Sequence, residues 1–98
     1  GGPRPAVVVQ NDMGNKHAPT VIIAPVTSKN KKSNLPTHVK LTSHILERNS
    51  MVLLEQLKTV DKSRIDSYIG TLSDEEMKMI DKALRISLAI GRYKKRSV

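Results

Sequence analysis

Apolar residues fall in short β-branched runs over the first two thirds of the chain, then change to a helical period in the last third. "PAVVVQN" (5–11) and "TVIIAPVT" (20–27) flank "NDMGNKHAP", a cluster of Asn, Asp, Gly and Pro with turn chemistry, which predicts a hairpin-like pair of buried strands. Pro25 has no N–H for a ladder, so an edge or a bulge is expected there, two residues before Thr27. "SKNKKSN" reads as a basic loop. "THVKLT" alternates apolar with polar positions as a half-exposed strand does, and "SMVLLEQLKTV" is long enough for one bent strand or two joined by a bulge. "DKSRI" reads as a short turn with some helical character, and "DSYIGTL" as a last short strand.

At Ser73 the pattern changes. "SDEE" is a capping box, with Ser73 as N-cap, Glu76 three residues on and acids in the first turn, where the helix dipole favours them. A helix over about 74–90 is predicted. Met77, Ile80, Leu84 and Leu88 form one apolar stripe, and Met79, Ala83, Ile86 and Ile90 a second on the opposite side. One stripe suffices to cover a sheet; the other is either wrapped by the domain or covered by a second copy. "GRYKKRSV" is a basic tail. Five or six short strands and one helix in 98 residues predict a mainly β chain with a C-terminal helix (α+β), a small twisted barrel closed by that helix. Residues 1–98 read as a single domain, with 92–98 as its tail.

Charge narrows the partners. Lys and Arg number 17 against 9 Asp and Glu, a net charge of +8 that favours polyanions or an acidic protein. There is no cysteine, hence no disulfide and no thiolate metal site, and the three histidines are scattered. The longest apolar runs are far short of the roughly 20 residues of a membrane helix and no secretory signal precedes them, so a soluble protein of a reducing cytoplasm is expected. Because the chain starts at Gly1 and not at methionine, an N-terminal piece is expected to have been removed or left out.

Tyr68 and Tyr93 are the only aromatics, too few for the stacking platform of a passive single-strand binder. No phosphate-binding glycine loop, nucleophile signature or paired carboxylates are present, so no cofactor and no metal are expected. Cleavage of RNA by its own 2′-hydroxyl asks less of a protein: proton transfer, and donors that stabilise charge on the phosphorane. Arg4 lies between Pro3 and Pro5, which hold it extended on a stiff base, and its planar fork suits a phosphate. Thr27 ends the second run and offers a hydroxyl. On spacing alone, a solvated arginine and a threonine of turn chemistry are the commoner readings.

"RPAVVVQNDMGNKHAPTVIIAPVTS", "LPTHVKL", "SMVLLEQLKTVDKSRI" and "LSDEEMKMIDKALRISLAI" together resemble the MazF/PemK family of toxin endoribonucleases, in the subgroup typical of Gram-positive bacteria. The resemblance extends to Gly91. It implies an SH3-like barrel with a C-terminal helix, a homodimer, metal-independent and ribosome-independent cutting of single-stranded mRNA within a short sequence, and an acidic MazE-like antitoxin. The catalytic arginine of the family's RP motif falls on Arg4, and its companion threonine, in TS, on Thr27. With a pKa above roughly 12, arginine suits charge stabilisation or proton donation better than general-base work.

Further RNA contacts are expected at Gln10, Asn11 and Gln56, whose amides read base edges or else tie down turns. His38 either contacts RNA or is structural. Lys29 and Lys31, with Lys32, add charge without sequence preference, or only solubilise a loop. His17 and His44 carry no argument. The resemblance also implies an RGD-containing strand and a loop upstream of Gly1, and a connection between "THVKL" and "ERNS" two residues longer than this one. The competing class is a non-enzymatic toxin on the same barrel, such as a gyrase poison, or a small basic nucleic-acid-binding barrel. Neither needs Arg4 paired with Thr27.

Overall fold

The computed structural model describes residues 3–10, 16–28, 35–42, 45–46, 48–92 and 95–98. Its strands are β1 (Ala6–Val8), β2 (Thr20–Thr27), β3 (His38–Leu41), β4 (Ser50–Leu53) and β5 (Lys58–Asp61), and the C-terminal helix is α1 (Asp74–Ser87). The strands pair antiparallel in the order β1-β2-β4-β3, with β5 also on β2. β2 is the hub. One of its edges carries β1, and the other is shared end to end: β5 takes Thr20 to Ile23, and β4 takes Val26 and Thr27.

That changeover explains Pro25. The expected bulge or edge is replaced by an unbroken register in which Pro25 faces Ala6 on the side of β1. Its nitrogen points the other way, at the junction where β5 has ended and β4 has just begun, so the missing N–H falls where no ladder bond is required. Beyond Leu53 the chain turns: Gln56 N donates to Leu53 O at 3.2 Å, so "SMVLLEQLKTV" forms two strands joined by a turn and not by a bulge. The strand expected at "DSYIGTL" is absent. β5 pairs back along β2 only as far as Thr20, the first residue of that strand, and Lys62 N closes the ladder on Pro19 O at 3.0 Å. After the 3-10 turn Lys62–Arg64 no sheet edge remains beside the chain, which runs on with Ile65, Tyr68 and Ile69 exposed.

Ala24, Val39, Leu41, Val52 and Leu54 from the sheet side meet Ile80 and Ala83 of α1 in one core. Burying side chains of this size contributes about 1.5–3 kcal/mol each. The predicted capping box is present, with Ser73 Oγ accepting from Glu76 N at 3.1 Å and Glu76 Oε1 accepting from Ser73 N at 2.9 Å. The helix buries one face and not two opposite stripes: Glu76, Ile80 and Ala83 are buried, while Met77, Met79, Ile86, Leu88 and Ile90 flank that line and stay exposed. Glu76 explains the difference, because a carboxylate satisfied by capping joins the inward row in place of an apolar residue. α1 ends at Ser87, short of 90. Ala89 (φ 53°) and Gly91 (φ 86°) take left-handed backbone, and Arg96 Nη2 donates to Leu88 O at 2.6 Å and Ala89 O at 3.2 Å.

Candidate active site

The β1–β2 ladder determines what Arg4 meets. Val8 lies opposite Ile23, Val7 opposite Ala24 and Ala6 opposite Pro25; Val26 N then donates to Pro5 O at 3.2 Å. Continued one step beyond that bond, ahead of β1, the same register brings Arg4 opposite Thr27. Arg4 is exposed and Thr27 half-buried. Pro5 occupies a ladder position where any other residue would donate a hydrogen bond, so its presence favours backbone stiffness beside Arg4 over one ladder bond.

On the far side of β2 the rows continue. Thr27 pairs with Met51 of β4, and Met51 with Lys40 of β3. Two residues along the same strands, Leu53 faces His38. His38 is placed by that pairing behind the surface, its side chain 4 % exposed, with Nε2 3.0 Å from Glu55 Oε2 and Nδ1 buried without a partner. Thr37 Oγ1 donates to Glu55 Oε1 at 3.0 Å, so His38 and Thr37 grip both carboxylate oxygens. Burial alone would raise the Glu55 pKa; hydrogen bonds from His38, its own backbone and Thr37, with the charge of His38, outweigh it and hold the carboxyl below its ordinary value. Gln56 follows in the turn with its side chain exposed. Gln10 Oε1 accepts from Ile22 N at 3.0 Å, which commits that amide oxygen to closing the β1–β2 ladder. Asn11, Lys29, Lys31 and Lys32 lie outside the described residues.

Thr27, His38 and Gln56 are carried by β2, β3 and the turn after β4, with Arg4 just ahead of β1, while Gln10 serves the backbone at the opposite end of β1. Sequence reasoning missed Thr37 and Glu55. The signal was the pairing of "THVKL" with "SMVLL": once His38 faces Leu53, Thr37 and Glu55 must lie near each other.

The family model that describes the PemK-like, MazF-like toxin of type II toxin-antitoxin systems matches residues 1–88. The chain belongs to this toxin family. Endoribonuclease EndoA of Bacillus subtilis (strain 168) is 48% identical over 92 residues, covering 92% of this chain and 79% of that relative. Among solved structures, a mycobacterial endoribonuclease in complex with its cognate antitoxin shares the fold, with TM-score 0.82 and 24% identity over 91% of this chain and 84% of that one. The MazE-MazF complex (Form-I) from Deinococcus radiodurans matches with TM-score 0.75 and 25% identity, over 89% of this chain and 83% of that one. The PemK/MazF toxins are an enzyme family, and the mostly antiparallel sheet with one C-terminal helix is their fold.

Within this toxin, Arg4, just ahead of β1, offers a cation with a rigid donor fork, and Thr27, at the end of β2, offers a hydroxyl. Such a pair can hold a phosphate and stabilise added negative charge on it. Among the described residues no group of three His, Asp or Glu is placed to hold a metal ion, and no helix is long and apolar enough to cross a membrane. A shallow apolar depression lined by Val8, Val21, Lys62 and Ile65 lies at the other end of β1 from Arg4.

Proposed function

We propose that this toxin cleaves single-stranded mRNA within a short sequence, without metal and without the ribosome, by attack of a ribose 2′-hydroxyl on its own 3′-phosphodiester. The P–O2′ bond forms as P–O5′ breaks; the 2′-hydroxyl loses its proton, O5′ gains one, and the products carry a 2′,3′-cyclic phosphate and a 5′-hydroxyl. The observation that carries this reading is the register that sets Arg4 across from Thr27. Arg4 stabilises the equatorial oxygens of the phosphorane and donates toward the leaving O5′, while the Thr27 hydroxyl adds a hydrogen bond to the same group. Gln10, Asn11 and Gln56, with Lys29 and Lys31, contact the rest of the strand, and His38 acts there through Glu55. The toxin works as a homodimer in the cytoplasm, the exposed flanks of α1 at Met79, Ile86 and Ile90 meeting the second copy. An acidic MazE-like antitoxin competes for the basic surface, a reading supported by the MazE-MazF complex.

The test is incubation with a long single-stranded RNA in EDTA, followed by analysis of the ends. Discrete fragments with 2′,3′-cyclic phosphate and 5′-hydroxyl termini are expected, and none when the sugar at the cut position is 2′-deoxy. Intact RNA, or cutting of the deoxy strand, overturns the proposal.

A further inference from the structure

The row that begins with Arg4 and Thr27 does not stop at the reactive pair. It crosses β4 at Met51 and ends on β3 at Lys40, every step fixed by strand register. Val39 and Leu41, on either side of Lys40, are 3 % and 7 % exposed in the core, so Lys40 itself must project from the opposite face, the one that carries Thr27. Lys40 is exposed, and neither it nor Arg4 has a carboxylate partner among the described residues. Met51, between them, is half-buried and apolar.

From this we infer a second phosphate subsite at Lys40, which binds the RNA backbone at a phosphate other than the scissile one. The inference rests on the nuclease reading. With strands about 4.8 Å apart, Arg4 and Lys40 stand roughly 14 Å from each other across the sheet, too far for both to hold one phosphate. They suit a strand of RNA laid across the sheet, with the intervening nucleotide over Met51, whose flexible thioether accepts a base or a ribose without demanding a particular one. Lysine acts here as a point charge and reads no sequence. Lys40 is therefore a positioning residue: it fixes how the strand lies over Arg4 and Thr27 and takes no part in bond making.

Binding is measured by fluorescence anisotropy against salt, using a mixed-sequence single-stranded oligonucleotide with 2′-O-methyl sugars, which this chemistry cannot cut. Lys40→Ala should weaken binding and make the slope of log affinity against log salt shallower by about 0.7, the contribution of one single-strand phosphate contact. Lys40→Arg should restore the slope. Lys78→Ala, on the solvent side of α1, is the control for lost charge at a distance. In cleavage of ribose RNA, Lys40→Ala should raise KM with kcat nearly unchanged. Equal slopes for Lys40→Ala and Lys78→Ala overturn the subsite, as does a kcat loss with KM unaltered. A Lys40→Ala variant that keeps its RNA slope but loses affinity for an acidic peptide also overturns it, in favour of a protein contact. A wild type that binds the oligonucleotide yet leaves ribose RNA intact overturns the nuclease reading and not this one, because the slope is read from binding alone.

Discussion

Glu76 is the side chain whose loss should damage this fold most for its size. It is 1 % exposed, and its carboxylate accepts from Ser73 N at 2.9 Å and Ser73 Oγ at 3.0 Å through Oε1, and from Thr42 N at 3.0 Å through Oε2. The last bond crosses from α1 to the residue after β3, so one carboxylate both caps the helix and ties it to the sheet. Hydrogen bonds to a charged group are worth about 1.5–3 kcal/mol each, and removing the acceptor takes away the partner of the part-buried Ser73 N–H and Thr42 N–H donors. Counting those two bonds conservatively, and adding the lost charge near the helix N-terminus at about 0.5 kcal/mol, Glu76→Ala should destabilise by about 3–4 kcal/mol. For a chain of this length that lowers Tm by roughly 12–25 °C. Glu76→Gln is the sharper test, because it keeps the volume but must point an amide N–H₂ at either Ser73 N–H or Thr42 N–H; about 2 kcal/mol is expected. Thermal unfolding by circular dichroism and urea titration would measure both. A Gln variant within about 0.5 kcal/mol of wild type would refute the reasoning, since it would mean that the two donors find other partners when the carboxylate is gone.

Arg4→Ala should lower cleavage by a factor on the order of 10² to 10³ with Tm unchanged, and Arg4→Lys should recover little because the bidentate fork is lost; an unfolded Arg4→Ala protein would make Arg4 structural. Pro5→Ala gains a ladder bond to Val26 O but frees the backbone beside Arg4, so stability should move by less than about 1 kcal/mol while kcat falls. An unchanged kcat would show that the stiff base plays no part. Glu55 titrates below its ordinary value of 4.5 in the folded chain, so the stability it contributes is present above that pH and is lost as pH falls through the lowered value. The small gap between wild type and Glu55→Gln, about 1 kcal/mol or less at this partly exposed position, should hold at neutral pH and close in more acid solution; a gap that widens toward acid would refute the sign.

Elements whose signal is local were legible in the sequence. β2 follows its β-branched run residue for residue, and the capping box at Ser73 fixes the start of α1 because both bonds of the box join neighbours in the chain. What failed was non-local. The "DSYIGTL" run has the alternation of a strand, but a strand needs an edge, and β2 has none left past Thr20. Pro25 reads as a breaker until β5 and β4 are known to change over beside it. The second helical stripe is not wrapped by the domain, since Met79, Ile86 and Ile90 stay exposed, and the inward row includes a residue the apolar pattern did not show, Glu76, buried by the bonds it accepts.

The candidate site divides along the same line. Arg4 was visible through its two prolines, which act on adjacent residues, but nothing near it in sequence points to Thr27; only the β1–β2 register, continued past Ala6, brings them opposite each other, and moving that register by one residue would put them on opposite faces. His38 reads in sequence as either an RNA contact or a structural residue, and its pairing with Leu53 carries the ring under the surface and onto Glu55. In the proposed mechanism the chemistry rests with Arg4 and Thr27, and His38, bonded to Glu55 beside Gln56, holds the turn after β4.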